Sequence, residues 1–285
     1  MASMRDIKRR KTSIQSTQQI TKAMKLVSTV KLQRAKTRAE RSKAYFNCMY
    51  ETIKGMIRKT DHIDHPYLIR GTSEKKAVVV ITSNRGLAGG YNSNIVKLVT
   101  GSDLDKKDVL VYAIGKKGRD VLKRRGYEIK ADYSEVINEP LFKDAMDISE
   151  ALLDAYTKQE IGEIWLAYTG FKNTVSHIPT LIKLLPVDAG DASEDEGSKT
   201  LMNYEPEETE ALDLIIPKYV SSIIYGALIE AVASENGARM QAMDSATSNA
   251  EEMIGTLELQ YNRARQGHIT QELTEIIGGA EALSS

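Results

Sequence analysis

The chain has 285 residues, of which 41% are hydrophobic and 27% charged, a composition typical of a folded protein. No run of about 18 apolar residues predicts a membrane span. The single cysteine, Cys48, excludes a disulfide framework and a cysteine metal cluster and favours a reducing cytoplasm. The net charge of zero hides an asymmetry: residues 1–39 carry eleven basic residues and one acidic residue, whereas residues 205–285 carry fourteen acidic and four basic residues.

The first predicted element is a long amphipathic helix, which runs from Met4 to about Ile57 within an N-terminal helical region, residues 1–60. Apolar side chains recur at steps of three and four, as a helical seam requires. The predicted seam positions are Ile7, Ile14, Ile20, Met24 and Val27. Intervening serines and glutamines make this seam thin, so the helix needs a partner for stability.

The basic residues of this helix allow three interpretations. They form a solvated helix face, or they bind a nucleic-acid backbone without sequence preference, or they contact acidic loops of a protein partner. The charge pattern alone does not choose among them. If the basic N-terminal and acidic C-terminal helices pair, their charges are complementary.

Residues 76–187 are predicted to form an α/β domain. Short β-branched runs alternate with helical stretches, which favours a βαβ arrangement with a buried parallel sheet. The predicted strands are Ala77–Thr82, Val109–Ile114, Glu128–Ala131 and Ile164–Tyr168, with a possible fifth at Ile178–Leu185. The predicted helices are Asn92–Leu98, Lys116–Arg125 and Asp144–Lys158.

A glycine-rich stretch, TSNRGLAGGYNSN, follows the first predicted strand and precedes a helix, where phosphate-binding loops occur. It matches neither the P-loop nor the dinucleotide-binding pattern, and Arg85 is its only basic residue. We favour a tight strand-to-helix turn over an anion site. The four histidines are scattered and no nucleophile motif occurs, so neither a metal site nor a catalytic site is predicted.

Residues 188–205 are acidic and rich in turn formers, which predicts a linker. A second long helix is predicted over residues 206–285, with a change in the register of its apolar positions between Met240 and Ile254. We therefore expect a local change in the supercoil there.

Several separated blocks resemble the γ subunit of F-type ATP synthases. The C-terminal stretch ITQELTEIIGGAEA, the opening helix IKRRKTSIQSTQQITKAMKLVSTVKLQRA, TSNRGLAGGYN, SENGARMQAMDSAT and YNRARQ occur in that family's order. The resemblance implies a Rossmann-like α/β central domain plus a long, antiparallel, left-handed coiled coil formed by the N- and C-terminal helices.

That resemblance implies a rotor shaft, driven by proton flow, inside a ring of α and β subunits, three of each. The chain would also contact the ε subunit and the ring of c subunits. It would lie at the cytoplasmic face of the cell membrane without inserting into it. The catalysis would belong to the β subunits, so no cofactor, catalytic residue or nucleic-acid partner is expected.

The resemblance also suggests which residues make contacts. Arg239, Gln266, Thr270 and Glu272 would face the α/β ring, and Met24 would lie where the shaft meets β. Arg9 and Arg10 would contact acidic loops of β, or ε. Two alternatives remain from the residues alone: an α/β nucleotide-binding enzyme with helical arms, and a coiled-coil adaptor with a basic nucleic-acid-binding arm.

Overall fold

The computed structural model describes residues 4–59, 65–174, 176–187 and 208–284. In chain order, the helices are α1 (Met4–Lys59), α2 (Tyr91–Thr100), α3 (Lys116–Arg124), α4 (Phe142–Thr157) and α5 (Glu208–Ser284). The strands are β1 (Lys76–Ile81), β2 (Val109–Ile114), β3 (Glu128–Asp132), β4 (Glu163–Phe171) and β5 (His177–Leu185). The predicted acidic linker, residues 188–205, lies outside the described residues.

One five-stranded sheet has the strand order β3-β2-β1-β4-β5. The first four strands are parallel, and β5 pairs antiparallel with β4 at one edge. The central strands β1 and β2 are buried on both faces, which explains their nearly continuous β-branched sequences. The four predicted strands and the possible fifth are therefore confirmed, with ends that shift by three residues at most.

Helices cover both faces of the sheet. On one face, alternate residues of β1 such as Val79 pack with α4 and with the first part of α5. On the other face, the intervening residues such as Val78 pack with α2 and α3. The helix α5 continues through Pro217, which lies in its interior. The sequence VSSIIYGALIEA that follows it is largely buried against the sheet.

Close contact between α3 and β1 depends on glycine. Gly115 has a φ of +107°, and a Cβ built on it would lie 2.0 Å from the carbonyl oxygen of Thr82. The Gly118 amide then donates a 2.9 Å hydrogen bond to Thr82 Oγ1. A side chain at Gly115 would force the backbone apart, so this approach accounts for the glycine.

The tertiary contacts divide the chain into two compact units. One comprises Met1–Ser28 and Met240–Ser285, and the other comprises Thr29–Arg239. We refer to them as the helix-pair unit and the sheet unit. The sheet unit holds all five strands, α2 to α4, and the adjoining parts of α1 and α5.

Candidate functional site

The helix-pair unit has an inner seam on α1 that differs in register from the predicted one. The least exposed positions recur at alternating steps of four and three, the spacing of a coiled-coil seam. They are Ile7, Lys11, Ile14, Gln18, Thr21, Lys25 and Ser28. By contrast, the predicted seam residues Ile20 and Val27 are 60% and 57% exposed. The prediction was wrong at these two residues because the adjacent small polar residues, Thr21 and Ser28, occupy the inner face there instead.

The inner positions of α5 continue without interruption through the helix-pair unit. They are Met240, Met243, Thr247, Ala250, Ile254, Leu257, Tyr261 and Ala264, again at alternating steps of three and four. The expected register change between Met240 and Ile254 is therefore absent. Thr247 and Ala250 occupy inner positions between Met243 and Ile254. Neither is a large apolar residue, so the pattern of large apolar residues did not predict them.

Three side-chain contacts fix the pairing of the two helices. Lys11 Nζ lies 2.5 Å from Glu258, and Lys25 Nζ lies 2.5 Å from Asp244. Between them, the hydroxyl oxygens of Thr21 and Thr247 are 2.8 Å apart. Residue numbers fall along α5 as they rise along α1, so the helices are antiparallel. Each ion pair joins a basic residue of α1 to an acidic residue of α5, in agreement with the complementary charges.

The same register shows that α5 is the longer partner in the helix-pair unit. The start of α1 lies level with about residue 265 of α5, at 1.5 Å of rise per residue in each helix. Residues 265–280 are exposed, including Ile276 at 68%. This exposed segment of α5 carries three of the predicted contact residues: Gln266, Thr270 and Glu272.

These contact residues make only local interactions. Thr270 Oγ1 donates to the Gln266 carbonyl at 2.9 Å, and Glu272 lies 3.3 Å from His268 Nδ1. Both contacts join residues one helical turn apart, so the side chains occupy one stretch of α5 and remain accessible. The structure brings Gln266, Thr270 and Glu272 together on this stretch.

The predicted contacts on α1 lie elsewhere in the helix-pair unit. Arg9 is 84% exposed and lies 3.6 Å from Asp6, and Arg10 is also exposed. Met24 is half-buried, and its carbonyl accepts a 2.8 Å hydrogen bond from Ser28 Oγ. The two arginines are therefore free to face a partner, whereas Met24 lies beside the inner seam.

Arg239 belongs to the sheet unit and is held within the chain. Its Nη1 lies 2.7 Å from Glu235 Oε1, and its Nη2 donates to the Gly86 carbonyl at 3.3 Å. The side chain is only 11% exposed. Sequence reasoning missed this contact with Glu235, although two opposite charges one turn apart on an otherwise small and apolar helix face were a detectable signal.

The glycine-rich loop after β1 uses its own polar groups to close the turn. Asn92 Oδ1 accepts a 2.9 Å hydrogen bond from the Ser83 amide. Asn84 accepts a 3.0 Å bond from the Lys116 amide and donates a 2.7 Å bond to the Ser134 carbonyl. These contacts close the turn with side chains of the loop and of α2, which supports the tight-turn interpretation.

Metal binding and membrane insertion are two further possibilities. Within the described residues, no group of three His, Cys, Asp or Glu side chains is placed to hold a metal ion. Ala211–Ala280 of α5 is long and apolar enough, by composition alone, to cross a membrane, but more than half of its most apolar stretch is buried within the protein. Burial against the sheet explains this apolar composition without a membrane.

Comparison with known proteins gives a consistent family. The family model described as ATP synthase matches residues 3–283. The ATP synthase gamma chain of Lachnoclostridium phytofermentans is 67% identical, and the alignment covers 100% of both chains. A gamma chain described as sodium ion specific, from Acetobacterium woodii, is 41% identical over 99% of each chain.

Solved structures show the same fold. A chain of the Euglena gracilis mitochondrial ATP synthase, in a structure of OSCP, F1 and the c-ring, superposes with a TM-score of 0.70. The match covers 98% of this chain and 94% of that chain at 20% identity. A chain of the Tetrahymena thermophila central stalk and c-ring superposes with a TM-score of 0.59 at 24% identity, covering 80% and 99% of the two chains.

Proposed function

This chain belongs to the ATP synthase gamma-chain family, and we propose that it is the central rotor shaft that couples rotation of the membrane c-ring to conformational changes in the catalytic β subunits. Members of this family are non-catalytic subunits of the synthase. The proposal assigns the chain a mechanical role, because a stiff rod transmits torque better than a flexible linker.

The antiparallel pairing of α1 with α5 is the observation that supports this role most strongly. Two long helices that share a seam resist bending and twisting more than either does alone. The pair is also asymmetric, with a basic α1, an acidic α5 and an exposed end formed by α5 only. A shaft must present different surfaces to successive β subunits, since a surface that contacts all of them equally shifts no equilibrium.

We propose four contact residues on the shaft surface. Gln266, Thr270 and Glu272 face the α/β ring from the exposed end of α5, where their side chains are accessible. Met24 contacts β from α1. Charged and polar contacts suit a turning shaft because they act over longer distances than close packing does.

Three further residues complete the proposed contacts. Arg9 and Arg10, both exposed on α1, contact acidic loops of β, or ε. Arg239 remains a proposed contact of the α/β ring, but its burial leaves little of the guanidinium for a partner.

The partners we propose are three α and three β subunits, ε and the c-ring, at the cytoplasmic face of the cell membrane. Within the chain, residues 1–60 and 206–285 form the shaft helices and residues 76–187 the α/β domain, with 188–205 as the link. No direct insertion into the membrane and no nucleic-acid binding are proposed.

Co-purification and rotation test this function. We expect native membranes to yield one copy of the chain with α and β subunits, and ATP to drive its rotation. A variant with Gln266→Ala, Thr270→Ala and Glu272→Ala should assemble but lose coupled turnover, whereas Gln271→Ala, on the same exposed stretch, serves as the matched control. Recovery of the chain as a free monomer that binds ATP would support the nucleotide-binding alternative instead.

A further inference from the structure

Charged side chains from several elements of the sheet unit meet at one place. We define the Glu235 cluster by residues of α1, the loop after β1, α2 and α5: Lys31, Arg85, Gly86, Tyr91, Glu235 and Arg239. Neither the tight turn nor the proposed ring contacts require such a grouping. Its position between α5 and the loop suggests a mechanical role.

Arg239 physically joins two of these elements. One guanidinium nitrogen is 2.7 Å from Glu235, one turn earlier on α5, and another donates to the Gly86 carbonyl in the loop at 3.3 Å. The side chains of Glu235 and Arg239 are 13% and 11% exposed. Because a charge-assisted hydrogen bond is stronger and more directional than a neutral one, this contact fixes the loop against the helix.

More than one positive charge acts on Glu235. Burial raises the pKa of its carboxyl group, and the nearby charges of Arg239, Lys31 and Arg85 act in the opposite direction. The buried carboxyl group is therefore paired with Arg239 of α5 and lies within the electrostatic range of two exposed cations, Lys31 of α1 and Arg85 of the loop.

Tyr91 shows that the pair lies beside buried groups. Its side chain is buried, and its hydroxyl group has no hydrogen-bond partner among the described residues. Burial raises the pKa of this phenol well above its ordinary value, and the nearby Glu235 charge adds to the effect. Burial lowers the local dielectric constant, which strengthens the electrostatic attraction between Glu235 and Arg239.

We propose that the Glu235 cluster is an internal clamp that holds the loop 83–90 on α5, with Glu235 and Arg239 as positioning residues. If the chain is the rotor shaft, as proposed above, the clamp carries torque between α5 and the sheet. The loop also presents Leu87, whose φ is +63° and whose side chain is 64% exposed, so fixing the loop fixes an apolar surface residue.

Hydrogen exchange of the loop amides in the purified full chain tests the clamp. We expect Glu235→Gln and Arg239→Gln to raise exchange in residues 83–90 to a similar extent, about tenfold or more, because either change releases the same contact. The exposed pair of Asp154 and Lys158 on α4, also one turn apart, provides the control. Its Asp154→Asn variant should leave loop exchange unchanged.

Reversal of the two charges distinguishes a cluster from a simple pair. Glu235→Arg combined with Arg239→Glu keeps a pair but places a cation near Lys31 and Arg85, so slow loop exchange should not return. The equivalent charge reversal on α4, Asp154→Lys with Lys158→Asp, should leave hydrogen exchange of the loop unchanged. Slow hydrogen exchange of the loop in Glu235→Gln, or its recovery in the charge-reversed double variant, would overturn the clamp.

A milder variant covers the case in which the glutamine variants do not fold. Arg239→Lys retains the charge but shortens the reach to Gly86, so we expect faster exchange in the loop with unchanged exchange in β1 and β2. Wild-type exchange in the loop of Arg239→Lys would contradict the clamp equally well.

Rotation of the assembled complex tests the torque that the clamp carries. Glu235→Gln should rotate at the wild-type speed without load and stall at a lower load than wild type, since the joint yields only under force. A wild-type stall load in Glu235→Gln would overturn the torque role. If the wild-type complex does not rotate at all, the proposed function fails, while the exchange result for the clamp still stands.

Discussion

Thr21 and Thr247 face each other across the helix pair, with their hydroxyl oxygens 2.8 Å apart. Each hydroxyl also contacts a backbone carbonyl of its own helix, that of Gln18 and that of Met243 respectively. A polar pair thus occupies the inner seam at a position where a more stable coiled coil would place apolar residues. The seam is specified by small, mutually satisfied polar groups.

Replacement of this threonine pair should show strong coupling. Thr21→Val alone, or Thr247→Val alone, should lower the free energy of unfolding by about 1 kcal/mol, because the hydrogen bond between the two hydroxyl groups is lost and the remaining hydroxyl keeps only the backbone carbonyl of its own helix. The double variant should be close to wild type, since two valines pack without a polar group. Urea unfolding of the purified chain measures the cycle, and simple additivity of the two losses would refute the paired role.

The difference in burial between two apolar residues of α1 gives a second prediction. Leu32 is 7% exposed, whereas Val27 is 57% exposed. Leu32→Ala should lower the free energy of unfolding by about 2–3 kcal/mol, because it leaves a cavity, while Val27→Ala should change it by less than about 0.5 kcal/mol. Thermal unfolding of the isolated chain compares the two, and an equal or larger loss for Val27→Ala would restore the register read from the sequence.

Two glycines of α5 should respond oppositely to alanine. A Cβ on Gly237 would lie 2.6 Å from His177 Nε2, whereas a Cβ on Gly255 has nothing within 4 Å. Alanine favours a helix over glycine by about 1 kcal/mol, so Gly255→Ala should raise the melting temperature. Gly237→Ala should lower it, and His177→Ala should rescue that loss because it removes the clashing ring.

That rescue is the decisive observation for the Gly237 contact. His177 Nε2 is buried and has no hydrogen-bond partner among the described residues, so packing rather than a hydrogen bond from Nε2 positions the ring. A Gly237→Ala chain as stable as Gly255→Ala would show that the ring moves aside freely.

Asp132 gives a dependence on pH. Burial opposes its charge, but hydrogen bonds from Ser134 and from Arg119, at 2.5 Å, outweigh it and hold the pKa of Asp132 below its ordinary value. The carboxylate therefore stabilises the fold above the ordinary aspartate pKa, and this contribution disappears as the pH falls through the lowered pKa. Asp132→Asn should be less stable than wild type at neutral pH and should approach it in acid.

Unfolding by urea at a series of pH values measures this difference. Asp103→Asn, at an exposed loop position, controls for the general effect of removing a carboxylate. A difference between wild type and Asp132→Asn that stays constant from neutral to acid pH would contradict the assignment.

The sequence predicted the sheet well because burial on both faces leaves a local signal. The runs AVVVI and VLVYAI in β1 and β2 are apolar at every position and rich in β-branched residues, as is typical of a buried parallel strand. The antiparallel direction of β5 carries no such local signal, because direction depends on how the chain returns to the sheet.

The sequence predicted the helix pair but not which face of α1 forms its inner seam. Ile20 and Val27 are large and apolar yet exposed, and Thr21 and Ser28 are polar yet buried, so hydrophobicity alone points to the wrong face of α1. The Glu235 cluster was missed for a different reason: apart from the pair of Glu235 and Arg239 within α5, its members lie on α1, on the loop after β1 and at the start of α2, which only the fold brings to α5.

Rotation under the microscope tests the central claim most directly. A chain with Cys48→Ser and Lys107→Cys carries one thiol on an exposed loop of the sheet unit, to which a bead can be attached. With the α/β ring fixed to a surface, the account predicts continuous rotation of the bead in one direction when ATP is added, and none without it. A bead that stays still while the complex hydrolyses ATP would contradict the account.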